Sequence, residues 1–375
     1  MPLLDAVKGG ACLLIVGHHL SRYGPLPEAA ALLAPQFFQW LSEYGRFAVQ
    51  VFLVLAGFFA AGILVPDGVL RADRPLSRLY QRYARLVAPY LAALIVCVLA
   101  NALARPYLGH QVVSGPPNIA QLIAHSFLLQ DLLGYEALST GVWYVAIDFQ
   151  LFVLALVTIA AAQMLQRRWF MRAEKRPWLT ALLLSTLIVA SLTVFNRDTR
   201  LDITAFYFFG SYGLGMLAFW VGRVKQRGLW GAAALALVLL GAAVLAFDWR
   251  GRTATAWVSA LILALIQRLG GLEPARWPAI GAPLAPLAQL GRISYSLFLI
   301  HFPVLLLVSA AVSRGAAVTP WAGTGGLLAT LVLSIGAAAV LHRYVESQPL
   351  SWRRLIGLFA ALLVCGAAVS TLSIT

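Results

Sequence analysis

The chain has little charge. Of its 375 residues only 11% are Asp, Glu, Lys or Arg, and just 14 are acidic. A soluble domain carries roughly 25% charged residues, so a freely soluble globular enzyme is excluded. Cysteine is scarcer: Cys12, Cys97 and Cys365 stand far apart within apolar runs. They form neither a disulfide framework nor a metal-binding spacing and read as small buried hydrophobes. No metal cluster is legible elsewhere, so no metal is expected. Also missing are the short alternating segments of a membrane β-barrel, internal repeats, and any stretch long enough for an appended soluble domain.

What fills the chain is apolar: 61% of the residues are hydrophobic. Apolar segments near the length that crosses a bilayer, about 20 residues, recur from end to end. They fall at about 4–22, 45–65, 86–104, 143–165, 178–195, 204–221, 229–247, 253–268, 289–311, 322–342 and 355–373. The expected fold is all-α, a polytopic transmembrane bundle of about 10–11 spans, with 253–268 the shortest of them. The longest extramembrane pieces are 23–44 and 105–142. A single domain over 1–375 is expected, with a core at 4–350 and an extra C-terminal span. The first apolar run carries one lysine and no small-residue cleavage site, and reads as a retained helix rather than a signal peptide.

The net charge of +14 raises the possibility of a nucleic-acid partner. Its distribution argues against one. Basic residues crowd alternate short loops, among them Arg71, Arg74, Arg78, Arg82 and Arg85, then Arg167, Arg168, Arg172, Lys175 and Arg176, then Arg268, Arg276 and Arg292, and finally Arg343, Arg353 and Arg354. The other loops hold only scattered arginines, such as Arg22, Arg105 and Arg314. This bias places the N-terminus on the cytoplasmic side.

Several residues stand out against this background. His18 and His19 close the first apolar run. A titratable group near hydrocarbon is costly unless it faces protein or water, and imidazole suits proton transfer near neutral pH. Lys8 lies three helical turns before His19, about 16 Å along the axis. One helix face thus carries a cation near the inner surface and a base in the outer half; His18 points about 100° away. Ala56-Gly57 permits close helix approach. Arg78, Arg82 and Arg85 share one helical face, which suits phosphate through forked hydrogen bonds or anionic lipid headgroups. Asp148 is the one carboxylate set well inside a span, a turn below the interfacial pair Trp143-Tyr144. A carboxylate beside a histidine orients the ring. Near 290, Arg292, Ser294 and Tyr295 group at the inner end of a span in which His301 precedes Pro303 by two residues. His301 suits either chemistry or a bond to the carbonyl that the proline frees.

Taken in order, these pieces resemble the acyltransferase-3 family of integral membrane acyltransferases. Lys8 and His19 match its basic-x10-His first helix. Phe52 to Phe58 match Phe-x-x-x-Ser-Gly-Phe, and Arg82, Arg85 and Pro89 match a following arginine–proline stretch. Trp143 and Asp148 match Trp-x-x-x-x-Glu, Ile293 to Pro303 an Ile-Ser-Tyr run ending His-x-Pro, and Val345-Glu346 a closing Val-Glu-x-Pro. The resemblance spans residues 4 to about 350. Lys8 for arginine, Ala56 for serine, Asp148 for glutamate and one extra residue before Pro349 mark a divergent branch.

The resemblance implies transfer of an acyl group, usually acetyl, from acyl-CoA to a hydroxyl of a cell-envelope glycan or lipid in the bacterial inner membrane. It implies His19 as general base, with Asp148 orienting it. Donor phosphates would meet Lys8, Arg82, Arg85, Arg292 and Tyr295, and the acceptor would meet Trp143 and His301. The rival reading is a proton-coupled transporter or flippase relaying protons through Asp148, His19 and His301. It predicts inverted repeats with broken helices, which the sequence lacks. A structural scaffold leaves the buried titratable groups without purpose.

Overall fold

The computed structural model describes residues 1–66, 75–109, 112–169, 178–270, 278–314 and 316–372. Arg71, Arg74, Arg172, Lys175, Arg176 and Arg276 lie outside these residues. Every regular element among the described residues is helical. In chain order they are α1 (Pro2–Leu20), α2 (Pro25–Ala30), α3 (Pro35–Tyr44), α4 (Ala48–Leu64) and α5 (Pro75–Ala104). Then come α6 (Ile119–Ser126), α7 (Val142–Trp169), α8 (Trp178–Thr193), α9 (Ala205–Arg223) and α10 (Arg227–Phe247). The chain closes with α11 (Gly251–Arg268), α12 (Pro278–Arg292), α13 (Ser294–Ser313), α14 (Pro320–Leu341) and α15 (Trp352–Leu372).

Ten helical stretches among the described residues are long and apolar enough to cross a membrane, and the chain is an integral membrane protein. The expected short span at 253–268 is the one that drops out. It forms α11, whose ends carry Arg252 and Arg268 and whose first turns carry Thr253 and Thr255, diluting its apolar character. The piece 23–44 is helical rather than looped. Pro25 and Pro35 sit at the first turns of α2 and α3, where a missing N–H costs nothing. Leu26, fully buried, turns α2 onto α14.

The helices group into two compact units. In the first, α9 is the central element: it packs on α4, α8 and α11 and is 72% buried over its apolar window. Glycines let it approach. A Cβ built on Gly57 would lie 1.8 Å from the Tyr212 carbonyl oxygen, and one on Gly215 would lie 1.9 Å from that of Val54. The Ala56-Gly57 pair of α4 therefore serves backbone-to-backbone packing, as small residues do between membrane helices. A hydroxyl donated by Ser211 to Gln50 Oε1 at 2.6 Å satisfies the buried polar pair at the same crossing.

In the second unit α13 is central, 78% buried over its window and packed on α14 and α2. Helix α15, only 22% buried, packs on α6. The segment 105–142 is pinned here by buried polar side chains. Asn118 caps α6 by accepting from the Gln121 N–H at 2.8 Å. His125 is fully buried; its Nδ1–H donates to the Gln121 carbonyl at 2.9 Å and its Nε2 accepts from the Leu138 N–H at 3.2 Å. Both ring nitrogens are thus used by the neutral form.

Two outcomes follow from this packing. Gly57→Val should destabilise the protein by about 1–3 kcal/mol, read as a lower Tm in detergent, while Gly231→Ala, where an added Cβ meets nothing within 4 Å, should not. Burial pushes the His125 imidazole down from 6.5 to about 4. Between those values the unfolded chain binds the extra proton, so His125 should contribute its full stability above pH 6.5 and lose it as pH falls towards 4. Thermal unfolding across that range should slope less for His125→Gln than for the parent; parallel slopes would remove His125 as the cause.

Candidate active site

Helices α1 and α13 run side by side in a fixed register within the second unit. A Cβ on Gly9 would lie 3.0 Å from the Gly291 nitrogen, Cys12 Sγ donates to the Ser294 carbonyl at 3.3 Å, and His19 meets His301. All three pairs differ by 282 residues, the last two a further seven residues apart, or two helical turns. Parallel helices keep such a register when one face of each repeats at that interval. Bare glycine at the start permits it: a Cβ on Gly291 would lie 1.7 Å from the Asp5 carbonyl oxygen.

The register delivers two imidazoles to each other. His19 is 6% exposed and His301 fully buried; the rings stack with centroids 5.0 Å apart, and His19 Nδ1 lies 2.8 Å from His301 Nε2. His301 Nδ1 lies 2.7 Å from the Phe298 carbonyl oxygen. A carbonyl only accepts, so His301 Nδ1 carries the hydrogen. With both rings neutral, His301 Nε2 is then an acceptor, and His19 Nδ1–H donates to it. The remaining nitrogen, His19 Nε2, is left with a lone pair.

His301 does not bond the carbonyl freed by Pro303, that of Leu299, but the one a residue earlier. Aromatic rings enclose the pair. Tyr23 and Phe298 stand edge-on or tilted to His19, Phe302 packs on Tyr23, and Tyr144 packs on Phe298. Gly141 (φ +86°) makes room, since a Cβ there would meet the Phe298 ring at 2.7 Å. Phe298 precedes His301 by three residues, so its place on the same face was legible from helical spacing; Tyr23 and Tyr144 carried no such signal.

The other expected residues divide. Asp148 is buried on α7, within the first unit. The Nδ1–H of His19 is given to His301, so the partner at that nitrogen is an imidazole. Trp143 packs on Tyr144, which packs on Phe298 beside the histidines. Lys8 forms an ion pair with Asp5 at 2.6 Å. The Gly291–Asp5 crossing sets that turn of α1 against the end of α12, where Arg292 is exposed. Tyr295 donates its one hydrogen to the Leu86 carbonyl at 2.8 Å, so it positions α5 and has no donor left for a phosphate. Arg82 is half-buried and Arg85 exposed on α5. Glu346 accepts from Ser296 Oγ at 2.6 Å. The His18 ring is tilted against that of His19 with centroids 5.5 Å apart, and its Nδ1 lies 3.3 Å from the Leu41 carbonyl oxygen.

An acyltransferase-domain family model, acyltransferase-3, matches residues 2–339. The chain belongs to this family. No curated protein and no solved structure matches it. The matched span contains every histidine of the buried pair and ends before α15, so this membrane acyltransferase carries its last helix and the preceding connector outside the matched domain.

Proposed function

We propose that this acyltransferase moves an acyl group, acetyl in the simplest case, from a cytoplasmic acyl-CoA to a hydroxyl of an envelope glycan, lipid or other small acceptor. The bacterial inner membrane, with the N-terminus inside, is the setting that the charge distribution and the family support. The observation carrying the reading is the hydrogen-bond chain from the Phe298 carbonyl through His301 to His19, which leaves one ring nitrogen able only to accept.

In this reading His19 Nε2 takes the acceptor's hydroxyl proton as the oxygen attacks the thioester carbonyl. The tetrahedral intermediate collapses, the C–S bond breaks, and the leaving thiolate takes the proton back from His19. Ester and free thiol are the products, and the ring returns to its starting form. No covalent enzyme intermediate is needed.

His301 is the positioning residue. It fixes the tautomer of His19 and accepts from Nδ1–H while the ring is charged, the part a carboxylate plays in a triad. The aromatic walls exclude water, which strengthens that bond. The donor's phosphates fall to the α5 face bearing Arg82 and Arg85, with Lys8 and Arg292 at the inner end of α1 and α12.

His19→Ala should lower kcat by about 10²–10⁴. His301→Phe keeps a ring in place but removes the acceptor; it should lower kcat and displace its pH profile while leaving the donor KM near the parent value. Asp148→Asn should cost less than His301→Phe. Assays with labelled acetyl-CoA and envelope extract decide it: full turnover in folded His19→Ala would remove the base, and an unmoved pH profile in His301→Phe would reduce His301 to packing.

A further inference from the structure

A second candidate site lies away from the histidines, within the second unit. A cleft of about 320 Å³, mouth included, opens between α5 and the chain from the end of α14 to the start of α15. Arg85, Ala88 and Pro89 form one wall; Glu346, Ser351 and Arg354 stand on the other. The two walls come from stretches that the charge pattern assigns to the same side of the membrane.

The chemistry of the walls is lopsided. Arg354 Nη1 is buried yet makes no hydrogen bond to the protein. A buried guanidinium N–H without an acceptor costs free energy that a bound anion removes. Glu346, the acid in the wall, is held from the other direction. Its Oε2 accepts from Ser296, and His342 Nδ1 lies 3.2 Å from the same oxygen. The wall below Arg354 is also the first turn of α15, a 21-residue helix whose N-terminal N–H groups favour negative charge. The backbone that shapes this wall is unusual: residues His342–Glu346 form a π-helical turn, which puts Val345 and Glu346 into the cleft.

We infer that this cleft binds a phosphate group, gripped by Arg354 from outside the family-matched domain and by Arg85 from within it. A phosphate of the acyl donor and the headgroup of an anionic lipid share this chemistry. The inference rests on the acyl-transfer reading only for the first of these sources.

The test measures binding to the full-length protein in detergent, not turnover, so its result is independent of His19. Coenzyme A, pantetheine as its phosphate-free counterpart, and phosphatidylglycerol against phosphatidylcholine are titrated into the parent, Arg354→Gln, Arg354→Lys and Arg353→Gln. Arg353 is exposed and does not line the cleft. Arg354→Gln should weaken one phosphate ligand about tenfold, the loss of a forked charged bond, with Arg354→Lys intermediate and Arg353→Gln unchanged. Loss confined to coenzyme A identifies the donor; loss confined to phosphatidylglycerol stabilisation identifies a lipid. Should Arg354→Gln fail to stay monodisperse, Ser351→Glu, which sets a carboxylate in the same wall, should give the same loss. Equal affinities in the Arg353 and Arg354 variants, for both ligands, would overturn the site.

Discussion

Two imidazoles sharing one hydrogen inside a membrane protein tolerate little positional error. The bond between His19 and His301 is 2.8 Å long, and its direction is set by a third group, the Phe298 carbonyl. Rotating α13 by one residue would swing His301 about 100° away and leave a buried N–H without an acceptor, at a cost of about 1–3 kcal/mol. The register that prevents this is established two and three turns earlier, at Cys12–Ser294 and Gly9–Gly291. The glycines at that crossing and the histidines beyond it are therefore parts of one arrangement. The first allows the helices to touch, and the second uses the alignment that touching imposes.

Much of this was legible in the sequence and some was not. Long apolar runs exposed the spans, because a membrane helix must supply about 20 apolar residues whatever its neighbours. Residues 253–268 form a helix whose end arginines and threonines leave it less apolar than the other expected spans. His19 and His301 were both legible as costly residues in apolar surroundings. Their pairing was not, since helix register depends on which side chains interdigitate, and no single helix carries that information. Asp148 drew attention for the same reason as the histidines. Tyr295 looked like a ligand for phosphate and turned out to hold α5 by its only hydrogen.

Charge is used sparingly and with direction. Lys8 is tied to Asp5, Glu346 to Ser296, and Arg200 to Asp198, so many of the few charges already have partners. Against that pattern Arg85 of α5 and Arg354 at the start of α15 are notable for lining one cleft. In the proposed reaction the division is simple: guanidinium groups hold phosphate on one side of the membrane, and an uncharged base waits among aromatic rings for the acceptor's proton.

The central claim is the tautomer of His19, and imidazole nitrogen-15 NMR of the parent protein tests it directly. The chain has six histidines, and single His→Gln variants assign their signals. The account predicts that His19 and His301 both carry hydrogen on Nδ1 and a bare lone pair on Nε2 at neutral pH. A hydrogen found on His19 Nε2, with Nδ1 bare, would contradict it.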